Sequence, residues 1–461
     1  MPDALPEHLL AAVRSGRQPV SGHEDPDGDL RAFAIQYRID LAHAVSIESY
    51  RGAMRALMDE LVVPHMVPGR PALVVYPEAV GLPVLAIGER GKRFRALGES
   101  PVAPAEDDVP VTLLGAMAEL VEASGDRIEA YRQRFGDLGS TALHLASTDT
   151  AARAFSQTFS AIARDYGVWV VAGNYQAPYA ETHDRSEIAA FGDVRDSVAY
   201  VATTPRVTNA TFLWGPDDVD VDAPLGETNL LARNEKVPLT EMEELLGFAE
   251  GSTEGQGGLE NAGWVDVVGF RVGFATSLPA FTYGYPFGER PAGFDPFADL
   301  RASYAAAQDA LGVDVMVQAD ANGPWAVPVA SGAWQPLEWM GSTWRAVADP
   351  TVRFRYNVTP MMVGNLLDLM FDGQSSITSR GRGGDGMRFV GNAQRGPADL
   401  AEYDVYAGDK AEFLAISPWL VPDAPREQLT ALSQALSPGS GTALENAYIE
   451  TAIFADLRRS P

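Results

Sequence analysis

Short runs of consecutive apolar residues alternate along this chain with longer stretches whose apolar residues recur every three or four positions. That alternation constrains the fold more than any other feature. A short continuous apolar run fits a strand buried on both faces, and helices must then cover those faces. RAFAIQY (31–37), ALVVY (72–76), VWVVAGN (168–174) and VDVMVQ (313–318) are such runs. Tyr50, Met54, Leu57 and Leu61 mark one amphipathic helix; Phe155, Phe159, Ile162 and Tyr166 mark a second, which Gly167 ends. DLRASYAAAQDALG (299–312) reads as a third helix, and WVDVVGFRVGFAT (264–276) as two strands about Gly269. VTNATFLWGPDD (207–218) reads as a strand entering a turn, with the Asp217-to-Asp222 run as a solvated hairpin tip. The expectation is an α/β architecture with no sequence repeat of fixed period.

The flanks are read differently. Residues 1–29 form a polar N-terminal arm, and the domain proper is expected over 30–461. Asp25, Asp27 and Asp29 have the spacing of a calcium loop, but Leu30 stands where such a loop needs Gly and Gln36 where it needs Glu. Residues 88–111 are charged and Pro-rich and read as a loop or insertion. GSTEGQGG (251–258) and GRGGDG (381–386) read as loops; neither ends in the Lys-Ser/Thr of a phosphate loop.

Composition removes several function classes. The 461 residues carry a formal charge of −27, which would repel a nucleic acid over most of the surface. With no cysteine, disulfide scaffolds, thiolate zinc sites, iron–sulfur clusters and cysteine nucleophiles are excluded. The most apolar window, ALVVYPEAVGLPVLAIG, is broken by two prolines and a glutamate, and the N-terminal residues lack the pattern of a signal peptide. A soluble, cytoplasmic protein with no membrane partner is expected. The six histidines show no i, i+4 pair, so no His-based metal site is expected. No G-x-S-x-G elbow occurs, and GQSS (373–376) matches the serine-rich stretch of amidase-signature enzymes over four residues only.

Three segments carry chemistry. In ALVVYPEAVGL, Glu78 follows a strand end, the edge at which α/β clefts open. In LLARNEKVPLTEMEELLGF, Lys236 lies among acidic residues with Glu244 eight positions on. Lysine occurs only at Lys92, Lys236 and Lys410, arginine supplying every other basic residue. A compact ammonium can donate to a developing oxyanion, although a surface ion pair is the plainer reading. In VVGFRVGFATSLPAF, a strand ends at Thr276 and Ser277.

Together the three segments resemble the nitrilase, or carbon–nitrogen hydrolase, superfamily. The likeness extends over ARDYGVWVVAG (163–173), NATFLWGP (209–216), FDGQSSIT (371–378) and ETAIFADLRR (450–459). It implies a four-layer α-β-β-α sandwich with insertions near 88–150 and 281–298, a homodimer or higher homo-oligomer, and no metal or organic cofactor. It also implies roles: Glu78 as general base, Lys236 as the stabiliser of the tetrahedral intermediate, Glu244 as the second glutamate, and Ser277 in the position of the family's cysteine. Asn322 and Trp325, in DANGPW after a strand, become candidates for substrate contact; a buried structural Trp is the plainer reading of Trp325. FTYGYPFG (281–288) would supply a pocket wall or a subunit contact.

The departures decide how far the likeness reaches. A serine hydroxyl is a much weaker acid than a thiol, and a carboxylate near pKa 4 is a poor base for it. Pro279 and Pro238 replace an acidic residue and a histidine of the family pattern. The expected function is hydrolysis of a small amide or related non-peptide C–N bond through Glu78, Lys236 and Ser277. The alternatives are a catalytically inactive member that binds a ligand or assembles with a partner, and an engineered serine.

Overall fold

The structure, a computed structural model, describes residues 20–99, 112–193, 196–277, 292–323, 341–343, 346–348, 351–381, 411–419 and 425–459. In chain order, β1 (Ser21–His23), β2 (Leu30–Arg38), β3 (Ala72–Val75) and β4 (Trp169–Gln176) belong to a first sheet. A separate hairpin pairs β5 (Tyr179–Thr182) with β6 (Ala199–Ala202). The first sheet resumes with β7 (Thr208–Trp214) and β8 (Leu230–Glu235). A second sheet takes β9 (Trp264–Val267), β10 (Phe270–Thr276), β11 (Val315–Ala319) and β12 (Tyr356–Thr359). β13 (Met362–Leu366) and β14 (Leu369–Phe371) return to the first sheet, β15 (Ser376–Arg380) and β16 (Ala411–Ile416) to the second, and β17 (Thr451–Leu457) to the first.

The two sheets share one pattern of directions. From β17 through β2, β3, β4, β7 and β8 the pairings run antiparallel, parallel, parallel, antiparallel, antiparallel. From β9 through β10, β11, β12, β15 and β16 the same sequence of pairings recurs. The repetition lies in topology and has no counterpart of fixed period in the amino-acid sequence.

Strand alternation explains the cores. Leu30, Ala32 and Ala34 of β2 join one buried cluster with Val272 and Phe274 of β10 and Val315 and Val317 of β11. Phe33, Ile35 and Tyr37, on the other face of β2, join a second cluster with helical residues of α1 (Ile47–Leu57). The second sheet's other face meets a third cluster, in which Ala275 and Met316 pack with Leu300, Tyr304 and Ala307. The predicted helices are present: α1 carries Tyr50 and Met54 and is capped by Ser46, whose hydroxyl accepts from the Ser49 amide. Gly167 closes the helix of Phe159 and Ile162 in the left-handed conformation, φ +65°.

Two expectations change. Residues 20–29 are not a free solvated arm: β1 pairs with β17, Asp25 and Asp27 contact Arg458, and Asp29 meets Arg459 at 2.8 Å. The aspartate spacing serves ion pairs to the far end of the chain. Residues 88–111, expected as loop, include α2 (Lys92–Glu99). Its charged sequence conceals a buried side: Phe94 joins the core, and Arg95 donates to the carbonyls of Ala44 (3.1 Å), Gly88 (2.9 Å) and Ala86.

One glycine sets the position of the turn after β3. The Gly173 amide donates to the Pro77 carbonyl at 3.2 Å, and a Cβ on Gly173 would lie 1.9 Å from the Glu78 carbonyl oxygen. Tyr50 holds the same turn from the other side, its hydroxyl donating to the Val80 carbonyl at 3.1 Å. Gly173→Ala should therefore cost about 3 kcal/mol, the upper end of ordinary overpacking penalties, measured as a fall in the urea unfolding midpoint.

Candidate active site

Strand ends deliver the charged groups. Glu78 follows β3, Lys236 follows β8, and Ser277 follows β10, so both sheets contribute from their carboxyl edges. Lys236 Nζ donates to Glu78 Oε1 at 2.8 Å and to Glu243, with Oε1 at 3.1 Å and Oε2 at 2.9 Å. Asn209 of β7 donates from Nδ2 to the same two carboxylates, at 2.6 Å to Glu78 and 2.7 Å to Glu243. All four side chains are buried.

The carboxylate that meets Lys236 beside Glu78 is that of Glu243, where Glu244 was expected. Thr240 begins α3 (Glu241–Leu245) as its N-cap in a reciprocal capping box. The Glu243 carboxylate accepts from the Thr240 amide at 2.9 Å and hydroxyl at 2.8 Å, which turns it inward. Glu244, one position on, falls on the exposed side of this turn. The T-x-x-E pattern at 240–243 carries that signal in the sequence. Asn209 is the other residue that sequence reading left without a role. Nothing local marks it, because its function depends on a strand neighbour and two distant carboxylates.

Charge states follow from burial and pairing. Burial pushes the Glu78 carboxyl above its ordinary range; Lys236 and Asn209 pull against this, and Glu243 adds to it. Burial alone would lower the Lys236 pKa, but the two carboxylates outweigh it and hold the ammonium above the usual lysine range. Burial likewise opposes ionisation of Glu243, and Lys236, the Thr240 backbone and Asn209 overcome it, leaving Glu243 below the usual range. Glu78 Oε2 is buried and, among the described residues, has no hydrogen-bond partner.

That orphaned oxygen belongs to a residue lining a cavity of about 520 Å³, together with Lys236, Glu243, Ser277 and Asn322. Ser277 is buried and left-handed, φ +71°, a backbone conformation that costs a non-glycine residue roughly 1–2 kcal/mol. Its amide donates to the Ala319 carbonyl at 2.7 Å, so that N–H is already used. Among the described residues, no hydrogen bond joins the Ser277 hydroxyl to Glu78 or Lys236. Thr276 Oγ1 lies 2.8 Å from Thr211 Oγ1 and donates to Asn234 Oδ1 at 3.3 Å, linking the two sheets one residue before Ser277. Asn322 is buried in the cavity wall, its Nδ2 3.7 Å from Met361 Sδ. Trp325 and the 281–288 segment lie outside the described residues. Among the described residues, no group of three or more His, Asp or Glu is placed to hold a metal ion, and no helix is long and apolar enough to cross a membrane.

No family model matches the chain, and no curated protein matches it by sequence. Among solved structures it is similar to an amidase from Nesterenkonia sp. AN1 carrying acrylamide at its active-site cysteine, at 14% identity over 76% of this chain and 85% of that one, TM-score 0.36. A cysteine-to-serine mutant of that amidase, described as from the nitrilase superfamily, matches at 15% identity over 76% and 84%, TM-score 0.36. A carbon–nitrogen hydrolase from Helicobacter pylori G27 matches at 12% identity over 76% and 82%, TM-score 0.38. Likeness at this level leaves the reading of the site to its own geometry.

The cluster's electrostatics predict unequal effects. Lys236→Met would leave two buried carboxylates facing each other, a loss of about 3–5 kcal/mol at neutral pH that shrinks as acid protonates them. Glu78→Gln keeps the ammonium paired with Glu243 and should cost much less. Because the folded-state pKa of Glu78 is raised, its contribution to stability is complete below the unfolded value and lost as pH rises through the folded one. Urea unfolding at about pH 5 and about pH 8 should therefore show Glu78→Gln gaining on the native chain at the higher pH.

Proposed function

We propose that this chain is a nitrilase-type hydrolase of a non-peptide C–N bond, with its fold read as a four-layer α-β-β-α sandwich. The observation that carries the proposal is the buried Glu78 Oε2, unpartnered among the described residues, on the wall of a cavity also lined by Lys236 and Ser277. A carboxylate kept in that state has its proton-accepting oxygen free, and a raised pKa makes it a stronger base. This partly offsets the poor match between an ordinary carboxylate and a serine hydroxyl.

In the proposed sequence, Glu78 takes the proton of the Ser277 hydroxyl as Oγ attacks the amide carbon. Lys236 has three N–H donors and three carboxylate oxygens within reach, two of them on Glu243, so one donor turns from Glu243 to meet the oxyanion. Glu78 then passes its proton to the departing nitrogen, and ammonia or an amine leaves. Glu78 next deprotonates a water that attacks the ester carbon. Ser277 Oγ recovers a proton as the acid is released. Asn209 and Glu243 act as positioning residues that hold Glu78 and Lys236, and Asn322 contacts substrate. Holding Ser277 in the left-handed region fixes where its side chain enters the cavity.

The absence of a hydrogen bond from the Ser277 hydroxyl to Glu78 favours a second reading, an inactive relative that only binds its ligand. Amide and nitrile turnover by the native chain, Ser277→Cys, Ser277→Ala and Glu78→Gln separates the two. The serine-hydrolase reading expects native turnover, with losses of roughly 10²–10⁴-fold in Ser277→Ala and Glu78→Gln. Turnover only in Ser277→Cys would identify a disabled thiol-type site. Turnover in neither the native chain nor Ser277→Cys would leave the binding reading.

A further inference from the structure

Around the polar cluster the cavity is almost entirely apolar. Leu82 and Leu85 come from the stretch after Glu78, Phe94 from α2, Leu120 from a helix at 113–123, and Leu366 and Phe371 from the β13–β14 hairpin. A cavity of about 150 Å³ accepts benzene, so by proportion 520 Å³ has room for roughly twenty non-hydrogen atoms. Acetamide or a similar small amide would leave most of that space to water against hydrocarbon. Met242 lines the cavity yet is 65% exposed, so the apolar lining continues to the surface.

The charge pattern narrows the class further. Among the described lining residues the one cation is Lys236, already held by Glu78 and Glu243. Burial lowers the His144 pKa to about 4, so its ring adds no positive charge at neutral pH. Among the described residues, His144 Nδ1 is buried without a partner on the same wall, as Glu78 Oε2 is. A carboxylate ligand would meet two acidic side chains and a surface of net charge −27. An uncharged amide can instead donate its N–H to Glu78 Oε2 and present its carbonyl to Lys236.

We propose that the ligand of this cavity is an uncharged amide with a medium-length apolar acyl group, alkyl or arylalkyl, of about eight to twelve carbons. The proposal rests on the site reading above for the orientation of the amide, and on the cavity alone for the acyl group. Each methylene that the wall buries should tighten binding by about fourfold.

Isothermal titration tests this with acetamide, octanamide, 4-phenylbutanamide and octanoate as probes, on the native chain and on Ser277→Ala to separate binding from turnover. Octanamide and 4-phenylbutanamide should each bind at least about tenfold more tightly than acetamide, and octanamide more tightly than octanoate. Met117→Trp and Leu369→Trp, which fill the cavity from two different elements, should each weaken octanamide by about tenfold or more, with thermal unfolding used to show that each variant folds. Equal affinity for acetamide and octanamide, tighter binding of octanoate, or unchanged octanamide affinity in either folded Trp variant would overturn the proposal. A chain that binds octanamide and never hydrolyses it fails the hydrolase reading alone. A chain that hydrolyses acetamide without binding octanamide fails this inference alone.

Discussion

A single buried ammonium organises the centre of this protein. Removing Lys236 from water carries a desolvation penalty of several kcal/mol, which only close, well-aligned counter-charges can offset. Glu78 and Glu243 supply them, and Asn209 bridges the same two carboxylates. The four groups come from the ends of β3 and β8, from β7 and from the capped turn at Thr240. Each element must be in place before the charge can be buried, so the cluster couples the correct pairing of the first sheet to the presence of the site.

The second sheet adds Ser277 and Asn322 to the same cavity, from positions after β10 and β11. Both sheets repeat one order of parallel and antiparallel pairings, and the polar groups lie past strand ends in each. The Thr211–Thr276 hydroxyl contact joins the sheets next to Ser277. Polar atoms there are satisfied across the interface, while the hydrocarbon of Leu30, Val272 and Val315 fills the space deeper in. Fold and site are thus held by different interactions: apolar burial fixes the distance between the sheets, and directional bonds fix the angles of the side chains.

Legibility followed the range of the interactions. β2, β3 and β4 could be read because two-sided burial leaves uninterrupted apolar runs, and α1 because Tyr50 and Met54 repeat at helical spacing. α2 could not, since its buried contacts are made by Phe94 and by the stem and guanidinium of Arg95, whose charge suggests solvent. The aspartates at 25, 27 and 29 pointed to an exposed arm, because their arginine partners are more than 400 residues away in the chain. Glu78 and Ser277 were legible as polar residues at strand ends, and Lys236 as a lysine kept among acidic residues in an arginine-rich chain; the family resemblance pointed to Glu244, whereas the Thr240 cap turns Glu243 inward.

By itself, the sequence determined the inventory of chemistry: no thiol, a lysine retained at Lys236 in an arginine-rich chain, a serine at the end of β10, and enough alternating apolar runs for an α/β core. Those properties are local, and each can be read within a few residues. Tertiary structure alone decided that Glu243 faces Lys236, that Asn209 holds both glutamates, that Glu78 Oε2 is left unpaired among the described residues, and that segments from Leu82 to Phe371 line one apolar cavity. Hydrogen-bond partners and cavity walls depend on angles and separations between residues far apart in the chain, and those are set only when the two sheets pack.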